Sequence, residues 1–238
     1  MTDQKKLSQP YGDQTLEHVI VHDGTGRVLP TVLLIPTVMG VQQLEIGFAE
    51  KLVVLGYHVV VADLFGRRFT PVVDKPEAFA AMTALRSDRA ALRDRLLAVL
   101  EEVRKREHVD AGRMAVIGYC FGGQCALDVA RAGADIAGVA SFHGLFDSPG
   151  LPAQPIKAKV AAYHGWDDPM VPPEAVVALG QELTEAGADW QIHAYGHVGH
   201  GFTNPNASQL GIAGVAYDQA AERRSWASLV SFLGEVLG

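Results

Sequence analysis

The chain has 238 residues, 48% of them hydrophobic and 20% charged, and 27 acidic side chains outnumber 20 basic ones for a formal net charge of −7. Such a balance buries a sizeable core and excludes an intrinsically disordered protein, and the scattered positive charges exclude an electrostatic footprint for DNA or RNA. The opening MTDQKKLSQP leads into no apolar h-region, every apolar run stays short of the roughly 18 residues that cross a membrane, and a soluble, cytoplasmic protein is expected.

Along the chain, short β-branched runs alternate with segments of helical period, as in repeated βαβ units. Val28 to Pro36 reads as a buried strand, Leu44 to Leu55 as a helix closed by Gly56, and Tyr57 to Leu64 as the next strand. Leu92, Leu96, Leu100 and Val103 then mark an amphipathic helix whose arginines are expected in water. Arg113 to Tyr119 is the next strand, with a helix from about Phe121, strands at Ile136 to Gly144 and Lys159 to Gly165, a helix beginning near Pro173, and a strand at Trp190 to Gly196. The last helix carries Trp226, Leu229, Val230, Leu233 and Val236 on one face. Continuous Val, Ile and Leu runs suit parallel strands covered on both sides. The pattern predicts an α/β protein with one mostly parallel, doubly wound sheet, helices on both faces, and a single domain over residues 1–238. In such a sheet the reactive groups sit just beyond the carboxyl ends of the strands.

One of these strand ends carries Gly118-Tyr119-Cys120-Phe121-Gly122-Gly123, immediately followed by a helical segment. This is G-x-C-x-G between strand and helix, the setting of a nucleophile elbow. Small residues two before and two after the nucleophile leave room for a strained turn. The helix N-terminus favours a thiolate and offers the Phe121 N–H to a developing oxyanion. Cys125, inside the helix, reads as a small core hydrophobe, and two cysteines five apart match neither a CxxC pair nor a disulfide framework.

An elbow of this kind calls for an acid and then a histidine after later strands. His164-Gly165-Trp166-Asp167-Asp168-Pro169-Met170-Val171-Pro172 offers two aspartates, and His197-Val198-Gly199-His200-Gly201-Phe202 offers two histidines. Periodicity leaves both choices open. His193, His197 and His200 lack the companion cysteines or carboxylates of a metal site, so no metal and no cofactor are expected. His58, His143 and His164 read as structural histidines.

Taken together, GYCFGG, the G-x-x-D-x-x-V-P run from Gly165 to Pro172, and Gly199-His200-Gly201-Phe202 resemble the dienelactone hydrolases, over nearly the whole chain. The resemblance implies the α/β-hydrolase fold and a Cys120–His200–Asp168 triad that cleaves small esters, lactones or thioesters through a thioester intermediate. It also implies that the loop Ile35 to Gly40 supplies Val38 N–H as a second oxyanion donor beside Phe121. Thr37, Tyr119, Trp166 and Asn204 are the candidate substrate contacts. Two departures stand out. Thr37 occupies the position where the family's dienelactone-opening members carry a glutamate, and Asn204 stands where they carry an arginine, which leaves Arg67, Arg68 and Arg86 as alternative anion binders. The implied partner is a small ester or lactone, with no nucleic acid and no membrane, and the protein is expected as a monomer or homodimer. Acyl transfer by the same triad and a non-catalytic ligand-binding module are the competing expectations.

Overall fold

A computed structural model describes residues 2–238. Its strands are β1 (Asp3–Tyr11), β2 (Gln14–His22), β3 (Leu29–Ile35), β4 (His58–Val61), β5 (Val109–Tyr119), β6 (Gly138–Phe142), β7 (Lys159–Gly165) and β8 (Trp190–Tyr195). They form one sheet in the order β1-β2-β4-β3-β5-β6-β7-β8. From β4 to β8 every pairing is parallel, while β2 runs antiparallel to both β1 and β4. The helices are α1 (Gln43–Val54), α2 (Lys75–Ser87), α3 (Arg89–Arg104), α4 (Phe121–Arg131), α5 (Pro173–Glu185) and α6 (Gln219–Leu237).

The alternation of side chains along each strand divides the core in two. Val32 and Leu34 of β3 turn to the face covered by α1 and α6, whereas Leu33 and Ile35 turn to the face covered by α2 to α5. Both faces are covered, which is why β4 and β6 are buried at every position and, His58 and Ser141 apart, carry no polar side chain.

The hairpin β1–β2 is not announced by the sequence. In β1 only Leu7 and Gln9 are buried, and Lys5, Lys6 and Pro10 guard an exposed edge, so the apolar alternation that marks a strand is nearly absent. The strand expected from Tyr57 to Leu64 is cut to His58–Val61. Here Asp63 draws the chain out of the ladder, its carboxylate accepting from the Glu17, Phe65 and Gly66 amides at 2.9–3.1 Å. Conversely β5 starts at Val109, ahead of the expected Arg113, because a register shift opposite Pro30 and Thr31 absorbs the intervening residues.

His18 of β2 pins this region. Its Nδ1 accepts from Asp63 N at 2.9 Å and its Nε2 meets Gln9 Oε1 at 3.0 Å, an arrangement that requires the neutral ring. Burial pushes the His18 pKa down to about 4, against the pull of Asp63, and burial does the same to His58. A histidine that protonates more easily unfolded than folded stabilises the fold above pH 6.5, and that contribution is lost as pH falls from 6.5 towards 4. We expect urea-unfolding stability to drop across this window, with about 3 kcal/mol of the loss due to His18. The drop should shrink by about that amount in His18→Gln; an unchanged pH slope in that variant would show that His18 plays no part.

Candidate active site

Cys120 sits in the turn between β5 and α4 with φ 55° and ψ −117°, a backbone conformation that a non-glycine residue rarely adopts. The turn is held from both sides: Cys120 N donates to Phe142 O at 2.9 Å, and Cys120 O accepts from Gly123 N and Gln124 N at 2.9 and 3.2 Å. Its two flanking glycines are obligatory. A Cβ on Gly118 would collide with the Gly122 carbonyl, and one on Gly122 would collide with the carbonyls of Ile35 and Pro36. The same tightness presses the elbow against the loop that follows β3.

His200 reaches Cys120 from the far end of the sheet. Its loop is clamped by His200 N donating to Gly214 O at 2.8 Å and by Ala216 N donating to His200 O at 3.1 Å. The imidazole Nε2 lies 3.0 Å from Cys120 Sγ, and Nδ1 lies 2.7 Å from Asp168 Oδ2. Asp168, in the turn after β7, is buried, and its other oxygen accepts from Met170 N at 2.8 Å. With the carboxylate accepting from Nδ1, the Nε2 atom is left to exchange a proton with sulfur. The rival residues lie elsewhere. The His197 side chain is fully exposed and Asp167 is 57% exposed, and the two face each other at 3.8 Å on the surface.

Burial by itself would raise the Cys120 thiol, but the His200 charge, the His200 hydrogen bond and the Phe121 N–H outweigh it and bring the thiol below its ordinary value. His200 moves the other way: burial opposes its charge, yet the Cys120 sulfur and the Asp168 hydrogen bond raise its pKa. The pair is thereby biased towards thiolate and imidazolium. Cys125 is buried, and burial drives its thiol well up, which suits a core residue.

The other expected contacts are spread around this centre. Phe121 is wholly buried; Val38 is 3% exposed, and its amide has no hydrogen-bond partner among the described residues. Tyr119 packs beneath the elbow, its ring between Phe48 at 4.6 Å and Phe142 at 4.7 Å. Trp166 is half exposed at the turn that carries Asp168. The Asn204 Oδ1 accepts from Asn206 N, within its own turn. His143, a structural histidine in the sequence reading, is buried with its ring 5.2 Å edge-to-face from His200, and its Nε2 meets Thr203 Oγ1 at 2.8 Å. Burial keeps its pKa well below the ordinary value, so a neutral ring backs His200.

The model of the dienelactone hydrolase family matches residues 19–237. The chain belongs to the dienelactone hydrolase family. It is thus a hydrolase, and solved structures agree in shape: the protein designated m3DLH is 33% identical with a TM-score of 0.90, covering 100% of this chain and 99% of its own. A dienelactone hydrolase-like promiscuous phosphotriesterase from metagenomic libraries is 30% identical with a TM-score of 0.89, covering 100% and 99%. A relative from Salmonella typhimurium whose name invokes carboxymethylenebutenolidase activity is 24% identical over 221 residues, 88% of this chain and 78% of that one.

Within this dienelactone hydrolase family member the arginines are largely spoken for. Arg68 donates to Glu17 O at 2.6 Å, Arg86 pairs with Asp147 at 3.0 Å, and the Arg67 guanidinium lies over the Phe69 ring at 4.7 Å. The expectation that the α3 arginines face water fails at Arg89. Its side chain is 11% exposed and grips Asp128 of α4 and Asp147, both at 2.7 Å, because α4 presents a buried carboxylate to α3. The residue most thoroughly missed is Glu45 on the first turn of α1, buried with its carboxylate against Thr37. A glutamate three residues after Gln42 is the spacing of a helix-capping box, and that signal could have placed it.

Proposed function

We propose that the protein cleaves small carboxylic esters, lactones or thioesters through a thioester on Cys120. The observation that carries this is the continuous chain Asp168 Oδ2, His200, Cys120 Sγ, with links of 2.7 and 3.0 Å, on a strained elbow at a helix N-terminus. The sulfur attacks the substrate carbonyl carbon, and the π electrons move to oxygen, giving a tetrahedral oxyanion. The Phe121 and Val38 N–H groups are assigned to that oxyanion. As the C–O or C–S bond of the leaving group breaks, His200 Nε2–H protonates the departing atom; in a lactone this atom stays tethered to the acyl group. His200, now neutral, takes a proton from water, whose oxygen attacks the thioester carbonyl, and collapse of the second oxyanion releases the acid and restores Cys120. Asp168 holds the ring in the tautomer that serves both steps and stabilises its charged form.

Good leaving groups suit a thiolate nucleophile, so enol esters, aryl esters and thioesters are the preferred class. Thr37, Trp166 and Asn204 are the side chains assigned to the substrate's approach, with Tyr119 supporting the elbow beneath. With Arg68 and Arg86 bonded to protein carbonyl or carboxylate groups, neutral esters fall within this class. Brief iodoacetamide treatment followed by peptide mass spectrometry is expected to label Cys120, not Cys125, with loss of p-nitrophenyl ester hydrolysis in proportion to labelling. Preferential modification of Cys125, or full activity after Cys120 is alkylated, would overturn the proposal.

A further inference from the structure

We infer that Glu45 is a positioning residue, which sets the Val38 N–H as an oxyanion donor by gathering the 37–42 turn onto its carboxylate. Glu45 is 1% exposed, on the first turn of α1. Its Oε2 accepts from Gln42 N at 3.1 Å, while Oε1 faces Thr37 N at 3.4 Å and Thr37 Oγ1 at 3.3 Å. Both ends of the turn thus rest on one side chain. The middle is fixed by Gly40 N donating to Thr37 O at 2.9 Å, and by the Gln42 side-chain amide donating to Met39 O and Phe69 O at 2.9 and 2.8 Å. Val38 lies inside this frame, next to the residue Glu45 holds, with its own amide unpaired among the described residues.

A carboxylate here is not needed for packing. No salt bridge joins it to a cation among the described residues, and burial raises its pKa to about 7 against the pull of its N–H donors, so the carboxylate that accepts at both ends is the form that prevails above pH 7. Polar groups so buried are retained when they fix one geometry among several. A glutamine could serve one end of the turn through its carbonyl oxygen, but its NH2 would then face an N–H at the other end, donor against donor. The expected consequence is a small shift of Val38, harmless to the thiolate and harmful to the oxyanion.

The inference rests on the thioester reading, and its test separates the two. A trifluoromethyl ketone adds Sγ to its carbonyl carbon and places an oxyanion where the tetrahedral intermediate would have one. Iodoacetamide alkylation needs the thiolate but forms no oxyanion. If wild type ignores the ketone, the thioester reading fails. Given wild-type inhibition, Glu45→Gln is expected to lower kcat about tenfold and raise the ketone inhibition constant by a similar factor, with the Cys120 alkylation rate and KM held within about twofold. Thr37→Val, which removes one donor and leaves the helix intact, should show the same fall in kcat and rise in inhibition constant more weakly, whatever its effect on KM, and Thr37→Ser should restore both. An unchanged inhibition constant in both Glu45→Gln and Thr37→Val would overturn the inference. So would an equal loss of alkylation and turnover, which marks a collapsed site.

Discussion

His200→Ala is expected to lower kcat by a hundredfold or more, as loss of a triad member generally does, with Asp168→Asn close behind; His197→Ala and Asp167→Asn should stay within about threefold of wild type. The asymmetry follows from burial and reach. His200 is 3.0 Å from the sulfur and Asp168 is 2.7 Å from His200, whereas the Asp167–His197 pair sits in solvent, where a screened 3.8 Å contact contributes little. Two different defects are expected. In His200→Ala the thiol loses the neighbouring charge that opposes burial, so its pKa moves above the wild-type value and iodoacetamide labelling shifts to higher pH. In Asp168→Asn the amide can donate to Nδ1 and so select the tautomer with the proton on Nε2, which leaves the ring unable to accept from sulfur. Steady-state kinetics on one activated ester, together with the pH dependence of alkylation, distinguishes these cases. Larger losses in His197→Ala or Asp167→Asn than in His200→Ala or Asp168→Asn would reverse the assignment of base and acid.

The elbow was legible because its constraint is local. Gly118 and Gly122 bracket Cys120 within five residues, and the clash each Cβ would cause is with atoms of the elbow and the loop it touches. The parallel core was legible for a similar reason, since burial on both faces writes itself into continuous apolar runs such as Val59 to Val61 in β4. By contrast, periodicity offered two aspartates and two histidines at equal standing after the strand ends, and only the resemblance carried by G-x-x-D-x-x-V-P and G-H-G-F pointed to Asp168 and His200. What separates Asp168 from Asp167 is the path of a turn, and what separates His200 from His197 includes the clamp from Gly214 and Ala216, far along the chain. Arg89 was illegible on the same ground, and for Glu45 the capping-box spacing marks a helix start without showing which way the side chain turns. Each is a charged residue on a helix whose inward direction depends on a partner eight or more residues away, Thr37 in one case and Asp128 in the other. The β1–β2 hairpin escaped because a protected edge suppresses the apolar alternation by which a strand is read.

Asp128→Ala is expected to destabilise the protein by about 3–5 kcal/mol, because it removes the shared acceptor of two nearly buried guanidinium groups. The Asp128 side chain is 2% exposed; Arg89 of α3 approaches it at 2.7 Å and Arg131 of α4 at 3.1 Å, and their own side chains are 11% and 6% exposed. Arg131 also reaches Glu182 of α5 at 2.8 Å, and Asp147 is bonded by Arg89 and, through Gln124, by the helix behind the elbow. The network therefore fastens the back of α4 to its two neighbouring helices. Without Asp128 the two cations face each other across a site that water reaches poorly, and Tm should fall by roughly 6–20 °C for a chain of this size. The intact network is close to balanced, since burial pushes the Asp128 carboxyl up despite both arginines, while Glu182 and Asp128 hold the Arg131 guanidinium above its ordinary value despite burial. Removing the whole charge set should then be far milder than removing its centre. In the triple variant Arg89→Met, Asp128→Leu, Arg131→Met, the partly exposed Asp147 and Glu182 can return to water, and stability is expected within about 1 kcal/mol of wild type. Thermal and urea unfolding of the two proteins make the comparison. A loss below about 1 kcal/mol in Asp128→Ala would mean that the guanidinium groups find other acceptors, and a triple variant as unstable as the single one would mean that the charges, rather than their pairing, hold α4 against α3 and α5.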